Sequence, residues 1–247
     1  MLYVMSDIHG NEKRFRSVMA QIKLKPEDTL YVLGDVIDRH PRGIKLLREL
    51  IKKPNVKLLK GNHEIMMINC VEKEWSLKKG DDEAYYDYVE LKRHWHRNGG
   101  EVTHRSIMHT KKETVEEIFK YLKQLPFEYD VEVNNKKYKL CHAAPKDMYL
   151  RYGRKYINEE VFSVWYRWNG YETSSDEYTI IFGHTPTYYY NVKDPLEIWI
   201  GKRCIAIDCG AGFSNTMDMQ GRLACIRLDD MKVFYSEETK EEEQLAY

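Results

Sequence analysis

No stretch of this 247-residue sequence approaches the ~20 consecutive apolar residues of a bilayer-spanning helix, which argues against a membrane protein of that kind. The opening MLYVMSDIHG enters a strand pattern directly, without a basic leader or cleavage site, so a cytoplasmic protein is expected. Cysteine is sparse and odd in number. Cys70, Cys141, Cys204, Cys209 and Cys225 form no C-x-x-C and sit mostly in apolar runs, which excludes a disulfide framework and reads as small buried thiols in a reducing compartment. There is no excess of charge: 39 Lys+Arg balance 39 Asp+Glu, short of the basic composition of a nucleic-acid binder. The balance is uneven. The last residues, SEETKEEEQLAY (236–247), hold five Glu against one Lys and read as a solvated acidic tail. The remainder, 38 basic against 34 acidic residues, is mildly basic and suits an anionic substrate.

What is present is strand–helix alternation. LYVMS (2–6), TLYVLG (29–34) and NVKLLKG (55–61) are short apolar runs of strand type. Phe15, Val18, Met19 and Ile22 recur at helical spacing over 11–23, Ile44, Leu46, Leu47, Leu50 and Ile51 mark a second helix, and a third follows from about 64. Such alternation predicts βαβ units with a parallel sheet. Residues 72–125 differ: charged helix-favouring segments (82–97 and 112–124) flank RNGGEVT, and the stretch reads as a helical insertion over the sheet. Then FEYDVEV, a turn at Asn134-Asn135 and KKYKLCH predict a hairpin. A short helix near 158–166 and the strands YTIIFG, EIWI, RCIAID, RLACIRL and KVFYS complete one domain over 1–235, without internal repeats. Two packed sheets flanked by helices bury all of this most simply.

Five polar words stand at the C-terminal ends of predicted strands: SDIHG (Asp7, His9), GDVIDR (Asp35, Asp38, Arg39), GNHE (Asn62, His63), CHAAP (His142) and FGHTPT (His184). Ligands bind at that edge of an open α/β sheet. Asp, His and Asn hold first-row divalent metals in mixed N/O shells. Taken singly, each letter reads as well as a hydrogen-bonded turn residue, a structural polar pair or a surface ion pair; five words in order do not.

The ordered set D-x-H, G-D-x-x-D-R, G-N-H-E, H, G-H-T resembles the calcineurin-like metallophosphoesterases, and within them the phosphoprotein phosphatase branch, with bacterial and bacteriophage lambda-type serine/threonine phosphatases the nearest likeness. It runs from residue 3 to about 228 and takes in WHRNGG and IDCG. The resemblance implies a four-layer αββα sandwich of two mixed sheets with a helical insertion. It also implies two divalent metal ions, manganese in the first instance, with iron or zinc as alternatives. Asp7 and His9 would bind one, Asp35 would bridge, and Asn62, His142 and His184 would complete the other. A hydroxide bridging the pair would attack a phosphomonoester in line. His63 would be the general acid, oriented and charged by Asp38, and Arg39 would grip phosphate oxygens. Arg167, in the W-x-R element of VWYRW, is the second arginine expected of this branch. Asn62 is a neutral ligand beside the phosphate.

Two positions depart from the family pattern. His40 stands where most members have Gly and reads as an extra phosphate donor, and Ala144 replaces the Gly of HAG. The implied substrate is a phosphorylated protein or peptide, on Ser/Thr and also Tyr. Diadenosine tetraphosphate is the rival substrate, and a non-catalytic scaffold of the same fold is the rival from another class. His94, His96, His104 and His109 in the insertion read as solvated, and TYYYN (187–191) as either pocket lining or packing.

Overall fold

Through the first third of the chain, apolar runs and amphipathic stretches become strands and helices in strict alternation. The computed structural model describes residues 1–168, 176–190, 196–213 and 221–237. It opens with β1 (Leu2–Met5), α1 (Glu12–Ile22), β2 (Thr29–Val32), α2 (Gly43–Ile51), β3 (Val56–Leu58) and α3 (Asn62–Ser76). The Asn11 side chain caps α1 by accepting the Arg14 N–H, and the stripe Phe15, Val18, Ile22 is buried against the sheet. Helix α3 starts two residues before the expected position, which puts Asn62 and His63 in its first turn.

The insertion follows as α4 (Asp82–Arg97), α5 (Glu101–Met108) and α6 (Lys112–Gln124). RNGGEVT is only half a break, because Gly99 (φ 93°) and Gly100 end α4 while Glu101 already opens α5. The second half has β4 (Glu128–Val133), β5 (Lys136–Cys141), α7 (Tyr149–Tyr152), α8 (Glu159–Trp165), β6 (Thr179–Phe182), β7 (Trp199–Gly201), β8 (Cys204–Ala206), β9 (Ala224–Arg227) and β10 (Lys232–Tyr235). The β4–β5 hairpin turns on Asn134 and Asn135, both left-handed (φ 51° and 60°), as a two-residue turn requires.

Two five-stranded sheets result, ordered β10-β9-β1-β2-β3 and β4-β5-β6-β8-β7. In the first, β1, β2 and β3 are parallel and β9 and β10 antiparallel; in the second, β5, β6 and β8 are parallel. Alternation along each strand then builds three apolar layers. Tyr3 and Met5 face α1–α3, whereas Val4 between them packs with Leu140, Ile181 and Ile226 between the sheets. Ile180 and Phe182 turn outward onto Phe162 of α8. This is the expected αββα order: helices, sheet, sheet, helices. The five cysteines form no disulfide with one another and are buried.

Of the acidic segment from 236, Ser236 is buried and pairs twice with the main chain of Leu223, and the Glu237 N–H donates to Ser17 Oγ. Residues from 238 onward, and Asn191 of TYYYN, lie outside the described residues. No helix among the described residues is long and apolar enough to cross a membrane.

Candidate functional site

Parallel β1, β2 and β3 point their C-terminal ends the same way, and β5, β6 and β8 do so in the facing sheet, so the loops carrying the polar words converge. The loop after β1 is laced to the loop after β2: the Asp7, His9 and Gly10 N–H groups donate to the carbonyls of Gly34 (3.2 Å), Asp35 (2.9 Å) and Val36 (2.7 Å). The Gly183 N–H donates to the His142 carbonyl at 2.8 Å and ties the second pair of loops.

The backbone bends hard to present these side chains. Twelve described non-glycine residues have positive φ, and six of them are Asp7, His9, Asp35, Asp38, Arg39 and His184. Each costs on the order of 1–2 kcal/mol, and such strain gathers where geometry is held for function. Two glycines are dictated by crowding. A Cβ on Gly34 would stand 2.6 Å from the Gly61 nitrogen, and one on Gly61 would stand 2.2 Å from Asp35 Oδ1.

Asp35 is the hub. Its Oδ1 accepts the His63 N–H at 3.1 Å, which turns Oδ2 inward, 3.5 Å from His142 Nε2, 3.7 Å from His63 Nε2 and 3.8 Å from His9 Nε2. Asp7 does likewise: Oδ2 takes the His184 N–H at 3.0 Å and Oδ1 faces His9 Nε2 at 3.8 Å. Asn62 Oδ1 sits between His142 Nε2 (2.9 Å) and His184 Nδ1 (3.0 Å). Thus Asp7, His9, Asp35, Asn62, His63, His142 and His184 meet in one buried cluster.

The imidazoles are sorted by what their other nitrogen meets. His9 Nδ1 donates to the Ile37 carbonyl (3.0 Å) and His142 Nδ1 to the Leu33 carbonyl (2.7 Å), so each Nε2 presents a lone pair to the cluster. Burial, then Arg39, holds His9 well below its ordinary value; burial, then His142 and Arg167, does the same for His184. Both stay neutral. His63 goes the other way. Burial alone would lower it, but Asp35 and Asp38 outweigh that and raise it, with Nδ1 2.6 Å from Asp38 Oδ2. A shift in that direction suits a proton donor better than a metal ligand.

Three contributors carried no role in the sequence reading. Glu64, the last letter of GNHE, is buried and accepts from Val36 N (2.9 Å), Asp35 N (2.9 Å) and Gly61 N (3.0 Å), half of a capping box turned into a clamp on two loops. Burial and Asp35 push it up to about 7. Asp208 of IDCG is a further buried carboxylate, raised by burial with Asp35 adding to it, and its charge raises Asp7 in turn. Its signal was the one that revealed the other words, a polar residue just after a strand. The third, Trp95, donates its indole N–H to Asp38 Oδ2 at 2.8 Å.

The outer positions fall around this cluster. Arg39 is half-buried, its guanidinium 5.8 Å from the Phe213 ring centroid. Arg167 is exposed just beyond α8, near enough to His184 to lower it. The His40 N–H donates to the His9 carbonyl (3.1 Å), which fixes the turn in which His40 replaces Gly. Ala144 lies buried, its N–H on the Ser163 carbonyl, so the extra methyl packs against α8. Tyr188 is half-buried beside Phe213, Tyr189 is exposed, and Tyr190 stacks on Trp199. The expectation that the insertion histidines are solvated fails at His104. It is buried, with Nε2 2.9 Å from Glu74 Oε2 and Nδ1 3.0 Å from His96 Nε2.

The model of the calcineurin-like phosphoesterase family matches residues 1–198. The chain belongs to the calcineurin-like phosphoesterases. It is 29% identical over 155 residues to serine/threonine-protein phosphatase 2 of Salmonella typhimurium, covering 62% of this chain and 63% of that relative. It is 39% identical over 69 residues to the symmetrical bis(5'-nucleosyl)-tetraphosphatase of Acidovorax ebreus, covering 27% and 25%. A metallophosphoesterase structure from Sphaerobacter thermophilus shares the fold, with a TM-score of 0.52 at 16% identity over 96% of this chain and 88% of that one. The matches to the phosphatase relatives span less than two thirds of those proteins.

The family implies divalent metal ions, and the donors here fit them. Asp35, His142 and His184 bring ligating atoms within 4.8 Å of one another, and Asp35 and His9 do so on the other side, in a group whose third member is the acid His63 and not a ligand. Burial, then the neighbouring Asp208 and Asp35, holds Asp7 well above the carboxylate range, an imbalance that a bound cation relieves.

Proposed function

We propose that the chain is a metal-dependent phosphomonoester hydrolase acting on phosphorylated Ser or Thr, and also Tyr, in proteins or peptides. The observation that carries this is the pairing of His63 with Asp38 at 2.6 Å beside a shared Asp35 carboxylate, an acid and a metal-binding cluster in one buried site. Asp7, His9, Asp35, Asn62, His142 and His184 would hold two divalent ions, manganese in the first instance. Such a pair supplies a nucleophilic hydroxide near neutral pH and charge for the phosphoryl oxygens. The chain's own groups do the rest. His63 Nε2 gives its proton to the leaving oxygen while Asp38 stabilises the imidazolium. Arg39, held against Phe213, offers a planar fork for two phosphate oxygens, with Arg167 and His40 at the rim.

The serine/threonine-phosphatase relative supports a protein substrate through the longer match. The tetraphosphatase relative supports the second reading, a dinucleoside polyphosphate, over a shorter segment. The deciding measurement is kcat/KM in manganese for phosphoserine and phosphotyrosine peptides beside diadenosine tetraphosphate. Preference for the peptides supports the first reading; preference for the dinucleotide keeps the metal chemistry and reassigns the substrate. Activity on none of them overturns both.

A further inference from the structure

Three hydrogen bonds among the described residues join the insertion to Asp38 and Arg39 at the reaction centre. Trp95, in the last turn of α4, is the largest fully buried side chain of the described residues. Its Nε1–H donates to Asp38 Oδ2, the same oxygen that lies 2.6 Å from His63 Nδ1. Thr103, on α5, accepts the Asp38 N–H on Oγ1 at 3.0 Å. Between them, the Gly99 carbonyl accepts the Arg39 N–H at 2.9 Å. The segment W-H-R-N-G-G-E-V-T (95–103) therefore spends its ends and its middle on two consecutive residues.

Those two residues need outside support. Asp38 (φ 72°) and Arg39 (φ 64°) are adjacent, non-glycine and left-handed. The close approach also fixes the glycines opposite. A Cβ on Gly99 would lie 2.8 Å from Arg39 Cγ, and one on Gly100 would lie 2.3 Å from the indole of Trp95. Trp95 is wedged from behind by His104, whose ring centroid is 5.3 Å away and whose Nε2 meets Glu74 of α3. The indole N–H thus comes from a rigid direction. Asp38 Oδ1 has no hydrogen-bond partner among the described residues, so Trp95 and His63 are the donors that set the plane of this carboxylate.

We propose that Trp95 is a positioning residue of the phosphatase reaction. Through its N–H it fixes the Asp38 carboxylate, and through Asp38 the His63 imidazole, in the orientation that protonates the leaving oxygen. This makes the insertion part of the proton-delivery apparatus and not a cover over the sheet. The inference rests on the phosphatase reading above.

The test compares wild type, Trp95→Phe, Asp38→Asn and the double variant, all loaded with manganese, on a phosphoserine peptide and on p-nitrophenyl phosphate. General acid catalysis contributes roughly 10²–10⁴-fold and matters most when the leaving group is poor. Trp95→Phe should lower kcat for the peptide by about tenfold or more, change KM for neither substrate by more than about twofold, and lower kcat for the aryl phosphate by less than about threefold. Added to Asp38→Asn, it should cost nothing further. Equal losses on both substrates, or losses that multiply in the double variant, overturn the positioning role while wild-type activity leaves the phosphatase reading intact. A wild type that hydrolyses neither substrate overturns that reading and this inference with it. Should Trp95→Phe not fold, 3-benzothienylalanine at position 95 keeps the ring shape and removes only the N–H. The same selective loss is then expected, and wild-type kinetics would refute the proposal.

Discussion

Glu64 holds Asp35 by its backbone: Glu64 Oε2 accepts the Asp35 main-chain N–H at 2.9 Å, so the hub of the site hangs on a second buried carboxylate. The same side chain takes the N–H groups of Val36 and Gly61, and it is 1% exposed. Glu64→Ala would leave three buried donors without acceptors, each worth roughly 1–3 kcal/mol. The expected destabilisation is about 3–5 kcal/mol, read by urea unfolding of the metal-free protein so that ligation plays no part. A change under about 1 kcal/mol would mean that water takes over those N–H groups, and that the clamp is not structural.

His63 faces Asp35 with one nitrogen and Asp38 with the other, and against the opposing effect of burial the two carboxylates raise its hold on the proton. His63→Asn should therefore lower kcat by about 10²–10⁴-fold for alkyl phosphates and much less for activated aryl phosphates. The check is the slope of log kcat against leaving-group pKa, which should steepen in the variant. A slope equal to that of wild type assigns His63 a different task.

Much of this was legible because chemistry and periodicity coincide at strand ends. Asp7, His9, Asp35, Asn62, His142 and His184 each follow a short apolar run, and the alternation of such runs with amphipathic helices pointed to two packed sheets flanked by helices. Glu64 and Asp208 carried the same kind of signal. Their role escaped because a carboxylate that binds main-chain N–H groups looks, in one dimension, like any other acid near a turn. Trp95 and Thr103 could not be placed at all. Their contact with Asp38 spans 57 and 65 residues, and nothing local to α4 or α5 specifies the face they turn inward. His104 was misjudged for the same reason: its partner Glu74 lies on another helix.

The His104–Glu74 pair gives the insertion a pH-dependent hold on α3. Burial alone would raise Glu74, but hydrogen bonds from Tyr88 and His104 outweigh it and hold it below its ordinary 4.5. A carboxylate depressed in the folded state contributes stability that is present above its unfolded value and is lost as pH falls through its folded value. Glu74→Gln should cost about 1–2 kcal/mol at pH 7. The gap from wild type should close as pH falls below the ordinary 4.5 and through the lowered folded value. Thermal unfolding of both proteins across pH 3–7 checks it; a gap that stays constant with pH would assign the cost to packing.

Arg39 and Arg167 differ in how firmly they are held. Arg39 is fixed by its N–H on Gly99 and by Phe213 against its guanidinium, whereas Arg167 is exposed. A planar fork held in place binds two phosphate oxygens, and a lysine cannot copy it. Arg39→Lys should raise KM for phosphomonoesters by about tenfold, near 1.4 kcal/mol. Arg167→Ala should raise it by about threefold at low ionic strength, with the effect fading as salt screens the exposed charge. An unchanged KM in either variant removes that arginine from the substrate site.

Asn62 tests the electrostatics of the whole centre. Its Oδ1 lies within 3.0 Å of both His142 and His184, where a carboxylate would fit equally well in shape. The surroundings already hold Asp7, Asp35 and Asp208, all buried. A neutral amide there supplies an oxygen without a fourth negative charge, which leaves the loaded site more attractive to a phosphate dianion. Asn62→Asp should therefore bind manganese more tightly and phosphate more weakly. Calorimetric titration with manganese and competitive inhibition by inorganic phosphate measure the two halves separately. Opposite movements of the two affinities support the charge argument. If the phosphate inhibition constant stays unchanged while manganese binds more tightly, the amide serves geometry and not charge.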